Sequence, residues 1–518
     1  MVHAPSLKRF SAVSATVLML GLVGGAQAQD TDRLSRVNQD ELASFYGRMN
    51  VVVGSGARAF GMGGAFLARA DDATAASWNP AGLSYLRRTE FSLVGVHNEF
   101  SQGIPRQNEV VDNAGDPPLS VKTMDQLRGS VADFAGLVLP LRIKGRTGAI
   151  QVSYQRSFSF TGSRRSEGPV GVKGFAAGGK VLPTEFTVEG KGGFDTISFS
   201  SGFEVHPRLR LGMSLNRWIN GFSQVVNRPN AQTGGYRRID SSWEIDGTNF
   251  NLGALLIPTP KLNLGVVYKT PFAATVGLEK TRTDLASATP DPITGAKPDP
   301  PLVNRHTGDV TLRLPRVYGL GASFRATNTL TLSADFTRTA WSKATITDFF
   351  SLARRPASAE APAPGGADPY VDTYDKQPFP AVEVPSQTEG LYKQVDTSQL
   401  RVGAEWVLRL GQSGNVLLPL RAGFFRDGQP VVILLENGVN PAAHPDGIQT
   451  RPTFSGFTAG LGVTVGGMLL DLAYIREAGD VPAARKGDGK DLMDADGKRN
   501  ILYNRVFASM IVRFGKRR

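Results

Sequence analysis

From about residue 88 to residue 514 the chain alternates apolar and polar side chains with a period of two, in about fourteen short runs. The runs lie near 88–98, 131–141, 147–160, 193–205, 208–222, 242–257, 260–280, 308–325, 329–345, 396–409, 415–427, 453–466, 468–478 and 502–514. Their connections alternate in length. Short turns stand at Lys144-Gly145-Arg146, His206-Pro207, Pro258-Thr259-Pro260, Ala326-Thr327-Asn328, Gly411-Gln412-Ser413-Gly414 and Gly466-Gly467. Long polar stretches occupy 99–130, 161–192, 223–241, 281–307, 346–395, 428–452 and 479–501. A β-sandwich has no reason to alternate its loops so strictly. A membrane barrel does, with short periplasmic turns, long external loops and an even strand number. The pattern predicts an all-β fold: a transmembrane antiparallel β-barrel of about fourteen strands.

The ends of the chain agree. Lys8 and Arg9, the uncharged run Phe10 to Val23 and then Ala26-Gln27-Ala28 form a secretory signal. Beyond it the longest apolar stretch, Leu461 to Ala473, is interrupted by Gly466-Gly467 and carries Asp471. Without a spanning helix, only a closed barrel satisfies every backbone group in lipid. At the C-terminus Val506, Ala508, Met510, Val512 and Phe514 form one apolar row, and the residues between them are mixed. The predicted organisation is a signal peptide over 1–28, an N-terminal hatch over 29–87, the barrel over 88–514 and a basic tail over 515–518. The absence of cysteine suits passage through an oxidising compartment. The formal charge of +12, two units of which leave with Lys8 and Arg9, is scattered along strands and tips. Anionic lipid head groups account for it better than nucleic acid.

Strand parity assigns faces. Leu330, Leu332, Ala334 and Phe336 face lipid, as do Leu400, Val402, Ala404, Trp406 and Leu408, and then Leu470, Leu472 and Tyr474. The lumen then holds Asp335, Arg401, Glu405, Arg421, Asp471 and Arg513. Such mixed charges either brace the wall and a plug through ion pairs or guide a solute. The stretches 281–307 and 346–395, rich in Pro, Ala, Asp and Gly, read as surface loops.

Residues 29–87 do not read as wall. Val51-Val52-Val53 followed by Gly54, Gly56 and Ala59 imitates a dinucleotide fingerprint, with Asp72 near the acidic position, but no βαβ unit follows. Dense small residues, including Gly61, Gly63 and Gly64, instead permit close backbone packing. Asp71 or Asp72 is expected to cap a short helix over Ala73–Ser77. Asn79, followed by Pro80 and Ala81, is expected to start a second short turn over Pro80–Leu86.

The run from Gly56 through Leu83, containing Gly61-Met62-Gly63-Gly64-Ala65-Phe66, Asp71-Asp72-Ala73 and Asn79-Pro80-Ala81-Gly82-Leu83, resembles the hatch of the FadL/TodX family of outer-membrane transport proteins. Weaker likenesses lie at Gly265–Phe272, Leu314–Gly321, Leu330–Asp335, Arg401–Trp406 and Leu418–Phe424. The resemblance implies a plugged fourteen-stranded barrel with an apolar pocket, diffusion of long-chain fatty acids or aromatic hydrocarbons, and a lateral exit at a kink in the third strand. Phe158-Ser159-Phe160-Thr161-Gly162 is the place for that kink. It also implies that Asn79, Pro80 and Ala81 hold the plug against the wall. The connections 223–241 and 281–307, short and polar, depart from the greasy capture groove of the family.

Two other readings remain at this stage: a water-filled general porin, and a PorV-like barrel serving a secretion complex. His97 and His206 are expected at strand ends without a serine or acid partner, so the chain is read as a non-enzyme with no cofactor and no metal. The expected partners are a hydrophobic small molecule, outer-membrane lipid with lipopolysaccharide, and the barrel assembly machinery. A monomer in the cell outer membrane is expected.

Overall fold

A computed structural model of the chain describes residues 54–107, 120–169, 183–229, 235–285, 301–347, 383–384, 387–388, 392–410, 416–433, 452–482 and 498–515. Fourteen antiparallel strands close into a barrel. They are β1 (Thr89–Gln107), β2 (Ser120–Ile143), β3 (Arg146–Ser159 and Gly162–Pro169), β4 (Pro183–His206) and β5 (Leu209–Ile219 and Gly221–Pro229). Next come β6 (Tyr236–Thr259), β7 (Leu262–Lys269 and Phe272–Leu285), β8 (Leu302–Leu314 and Val317–Arg325) and β9 (Leu330–Thr339). The last are β10 (Thr397–Leu410), β11 (Val416–Gly428), β12 (Thr453–Val465), β13 (Met468–Pro482) and β14 (Lys498–Phe514). Each strand pairs with its neighbours in sequence, and β1 pairs with β14 from Thr89↔Phe514 to Gln102↔Ile501, which closes the wall. Closure leaves no sheet edge in the membrane.

The expected facing follows from the pleat. Leu332, Phe336, Leu400, Val402, Trp406, Leu470, Leu472 and Tyr474 are exposed on the outside, whereas Asp335, Arg401, Glu405, Arg421 and Asp471 are buried inside. An outward apolar band over a polar interior is the signature of a barrel in lipid. Short turns fall at Lys144-Gly145, both with positive φ, and at Gly466-Gly467. The turn expected at 411–414 lies outside the described residues, as do the signal segment, residues 29–53 of the expected hatch and residues 516–518 of the tail.

The structure corrects the extent of the long connections. Several are strand for much of their length: β1 and β2 stay paired out to Gln107↔Ser120, and β7 and β8 out to Asp284↔Leu302. No apolar row of period two runs through these extensions in the sequence, so periodicity does not mark them. A second correction concerns continuity. The ladder breaks in β3 at Phe160-Thr161, in β5 at Asn220, in β7 at Thr270-Pro271 and in β8 at Pro315-Arg316. Two of the breaks sit at prolines, which cannot donate to a ladder, and Asn220 has φ +64°.

Residues 54–87 lie inside the wall. They comprise α1 (Ala57–Gly61), α2 (Ala75–Trp78) and a 3-10 turn over Pro80–Tyr85. Their Ala, Met, Phe, Leu and Trp side chains form one buried cluster with Val94, Phe134, Phe425, Phe507 and Ile511 of the wall. Charge on the outer band separates lipid from lumen: Leu472→Arg should lower barrel stability by about 2–4 kcal/mol in urea unfolding from lipid vesicles if that row lies near the midplane.

Candidate functional site

Inside the barrel, the described hatch has only three short helical turns, so many of its peptide groups must find partners elsewhere. The wall supplies many of them. Asp335 accepts from Phe66 N at 2.6 Å and Leu67 N at 2.8 Å. Thr458 accepts from Gly63 N and donates to Gly61 O, at 2.9 and 3.0 Å. Ser509 accepts from Ala57 N at 2.6 Å, Gln151 donates to Ala73 O at 2.5 Å, and Arg210 donates to Ser84 O at 3.1 Å. Arg401 donates to Gly63 O at 3.1 Å and pairs with Asp427.

Asn79 is fully buried and works in both directions. Its Oδ1 accepts from Ala81 N at 3.1 Å, capping the 3-10 turn, with Pro80 at the first position. Its Nδ2 donates to Leu67 O within the hatch at 2.9 Å and to Ala254 O on β6 at 3.1 Å. The capping expected at α2 differs. Thr74 precedes that helix without a side-chain cap, and Asp72 Oδ1 instead accepts from Thr74 N (2.9 Å) and Thr74 Oγ1 (2.7 Å). Asp72 thus makes a local Asx turn one residue earlier, a common alternative for this side chain.

Contact at backbone distance is made through glycines of the wall and, at some points, of the hatch. Gly202, Gly212 and Gly253 stand in register across β4, β5 and β6, and a side chain on any of them would strike Asn79, Pro80 or Ala81. Gly265 and Gly321, in register across β7 and β8, receive Leu67; Gly403 and Gly423, in register across β10 and β11, receive Met62 and Gly63. From the hatch side, Gly61 approaches Gly460, Gly63 takes φ +68° against β10 and β11, and Gly64 takes φ +76° beside Arg401. The pseudo-dinucleotide glycines serve packing too, since a side chain at Gly54 would enter the Trp78 indole. The wall glycines escaped sequence reading, although a lone glycine at an inward strand position signals close approach of another backbone.

Below this contact runs an ionic latch. Glu405, 3% exposed, meets Arg58 at 3.2 Å, Arg69 at 2.5 Å and Arg421 at 2.8 Å. Arg421 continues to Asp471 at 2.6 Å, and Arg58 to Asp71 at 2.6 Å and Asp72 at 3.2 Å. Burial disfavours the Arg58 charge, but Asp71, Glu405 and Asp72 outweigh it and hold the guanidinium well above its ordinary range. Of the expected lumen charges, Asp335, Arg401, Glu405, Arg421 and Asp471 therefore all meet the hatch or a neighbour in this network. Arg513 stands apart, pairing with Glu90 at 2.7 Å on the β1–β14 seam. Arg58 and Arg69 were missed because the hatch gives no periodic signal from which to read a side chain's direction.

Between the hatch and the external end lies a cavity of about 130 Å³. Its aromatic side is Phe158, Trp218, Phe272 and Trp341, and its polar side includes Asn216, Asn249, Asn251 and Lys269. Ring contacts continue outward through Phe160 and Phe222, stacked at 3.9 Å, to Trp243. The ladder breaks border this space. In β3 the register shifts between Arg156 and Phe158, and Phe158 lines the cavity. Side chains repair the break: Thr161 Oγ1 both accepts from Gly192 N and donates to Gly192 O at 3.1 Å, while Arg156 pairs with Asp195. His97 corrects its expectation, lying within β1 with Ser130 Oγ 2.8 Å from Nδ1; the pair is exposed and does not line the cavity.

Two changes test the latch and the packing. Glu405→Gln leaves three arginines short of a counter-charge and should cost about 3–5 kcal/mol in denaturant unfolding. Gly253→Leu should drive Asn79-Pro80 off the wall at a cost of about 1–3 kcal/mol, making the hatch cleavable by added protease while the barrel keeps its heat-modifiable gel mobility.

No family model and no curated protein sequence matches the chain. Solved structures do. A FadL homologue from Pseudomonas aeruginosa is 17% identical over 89% of this chain and 99% of its own, with a TM-score of 0.51. The toluene transporter TodX of P. putida is 12% identical over 90% and 100%, with a TM-score of 0.50. At such identities the likeness is one of fold: this chain folds as the FadL homologue and TodX do.

Proposed function

We propose that the protein lets small hydrophobic molecules diffuse inward across the outer membrane, with the cavity above the hatch as the holding site. The observation that carries this reading is the ring-lined cavity between plug and wall. A water-filled porin needs an open lumen, whereas residues of the hatch are buried against the wall along most of 54–87. The fold likeness adds support, since one of the two neighbours is a toluene transporter. The break in β3, bridged by side chains, lies beside Phe158 of the cavity and is the place where a side route would open. Asn79, Pro80 and Ala81 act as the hatch fastening, with Gly61, Gly63, Gly64, Asp71 and Asp72 shaping the plug around it. A single chain closes the barrel, so a monomer suffices. Removal of the leader after Ala28, insertion by the barrel assembly machinery and contact with lipopolysaccharide accompany this location.

Mass spectrometry of small molecules retained after mild detergent purification should find fatty acid or hydrocarbon ligands. Recovery of none, with cargo proteins co-purifying instead, would favour a secretion-complex role and overturn the reading. Asn79→Ala removes the bonds to Leu67 O and Ala254 O and should lower uptake of a hydrophobic probe while the barrel still assembles. Unchanged uptake would remove Asn79 from the gate.

A further inference from the structure

Folding sorts by end the charges that the sequence scatters. At the end with the short turns, which barrels keep on the periplasmic side, Arg142, Lys144 and Arg146 are exposed around the β2–β3 turn. Arg208 follows at the β4–β5 turn, Lys261 at β6–β7, Arg325 at β8–β9 and Arg409 near the end of β10, all exposed. The acids at this end are engaged by arginines: Glu90 by Arg513 at 2.7 Å, Glu204 by Arg210 at 3.1 Å, and Glu405 and Asp471 by Arg421. Among the described residues that flank the short turns (139–149, 202–212, 255–264, 322–332 and 463–471), no Asp or Glu is exposed. The rim therefore presents one sign of charge. Toward the external end the exposed arginines are matched in place, Arg128 by Glu99, Arg217 by Asp246, Arg238 by Asp240 and Arg338 by Asp396.

The neighbours of the rim cations set their depth. Phe324 and Trp406 are exposed on the outer wall next to Arg325 and Arg409, Phe514 is exposed at the end of β14, and Leu141 and Ile143 are exposed beside Arg142 and Lys144. Exposed aromatic side chains mark the level at which a barrel meets the membrane interface. The turns are short, with only Lys144-Gly145 between β2 and β3, so cations beside them stay close to that level. Long cationic side chains at such a depth lay their stems on apolar surface and reach their charged heads into the head-group layer. A soluble partner would find nothing here that projects beyond turns at membrane level.

We propose that this inner rim binds anionic glycerophospholipid of the inner leaflet, with phosphodiester head groups of the phosphatidylglycerol type seated on Arg142, Lys144, Arg146, Arg208, Lys261 and Arg325. Guanidinium groups form short, charge-assisted bonds to phosphate oxygens, and ammonium groups add point charges. This lipid surface lies apart from the cavity above the hatch, so its loss would leave the transport reading standing.

The test is native mass spectrometry of the detergent-purified full barrel in mixed micelles with equal amounts of phosphatidylglycerol and phosphatidylcholine of the same acyl chains. Retained lipid should favour phosphatidylglycerol about fivefold or more, the factor one cation contributes near an anionic surface. That preference should fall as salt is raised, because salt screens exposed charge. Combining Arg142→Gln, Lys144→Gln, Arg146→Gln and Arg208→Gln should lower it at least about threefold, whereas Arg217→Gln with Arg238→Gln at the external end should leave it within about twofold. Equal retention of the two lipids by the wild type would overturn the inference and leave the rim to an acidic soluble partner. A preference unchanged in the rim variant, or lost equally in the external one, would overturn it as well. Should the rim variant lack the heat-modifiable mobility of a folded barrel, the wild-type preference and its salt dependence decide.

Discussion

A plug built from three short helical turns inside a closed wall must hand many of its peptide groups to that wall, and the rest of the molecule is arranged around this transfer. Asp335, Thr458, Ser509, Gln151, Arg210 and Arg401 each take one or two backbone groups of the hatch. The transfer works only at backbone distance, which explains the glycine rows on β4–β6, β7–β8 and β10–β11. Glu405 then ties two hatch arginines to a wall arginine, so that charge, hydrogen bonding and sterics fix the same position. Buried ion pairs of this kind contribute specificity of position as much as stability.

With the hatch fixed low in the lumen, the space above it is defined by what the wall does next. Breaks at Phe160-Thr161, Asn220, Thr270-Pro271 and Pro315-Arg316 interrupt the ladder beside the cavity, where aromatic side chains gather. The result is a cavity above the hatch with a ring-lined side and an amide-lined side. Plug and breaks together turn a fourteen-stranded cylinder into a holding site.

The barrel was legible in the sequence because lipid imposes a period of two over every membrane crossing, and runs such as Leu400 to Leu408 and Leu470 to Tyr474 obey it. The external extensions of β1, β2, β7 and β8 were not, because no apolar row of period two runs through them. The short turn begun by Asn79 and Pro80 was readable from local capping chemistry, which needs no tertiary partner. The capping of α2 by an aspartate was misjudged because Asp72 had a nearer local partner in Thr74. Gly202, Gly212 and Gly253 looked like ordinary strand glycines; their meaning depends on strand register and on a segment far away in sequence.

Single-channel recording in planar bilayers tests most directly whether the hatch seals the barrel. Purified protein with the hatch in place should give a quiet membrane, without sustained conducting steps. Stable large steps of the kind made by a water-filled pore would contradict a barrel sealed by residues 54–87.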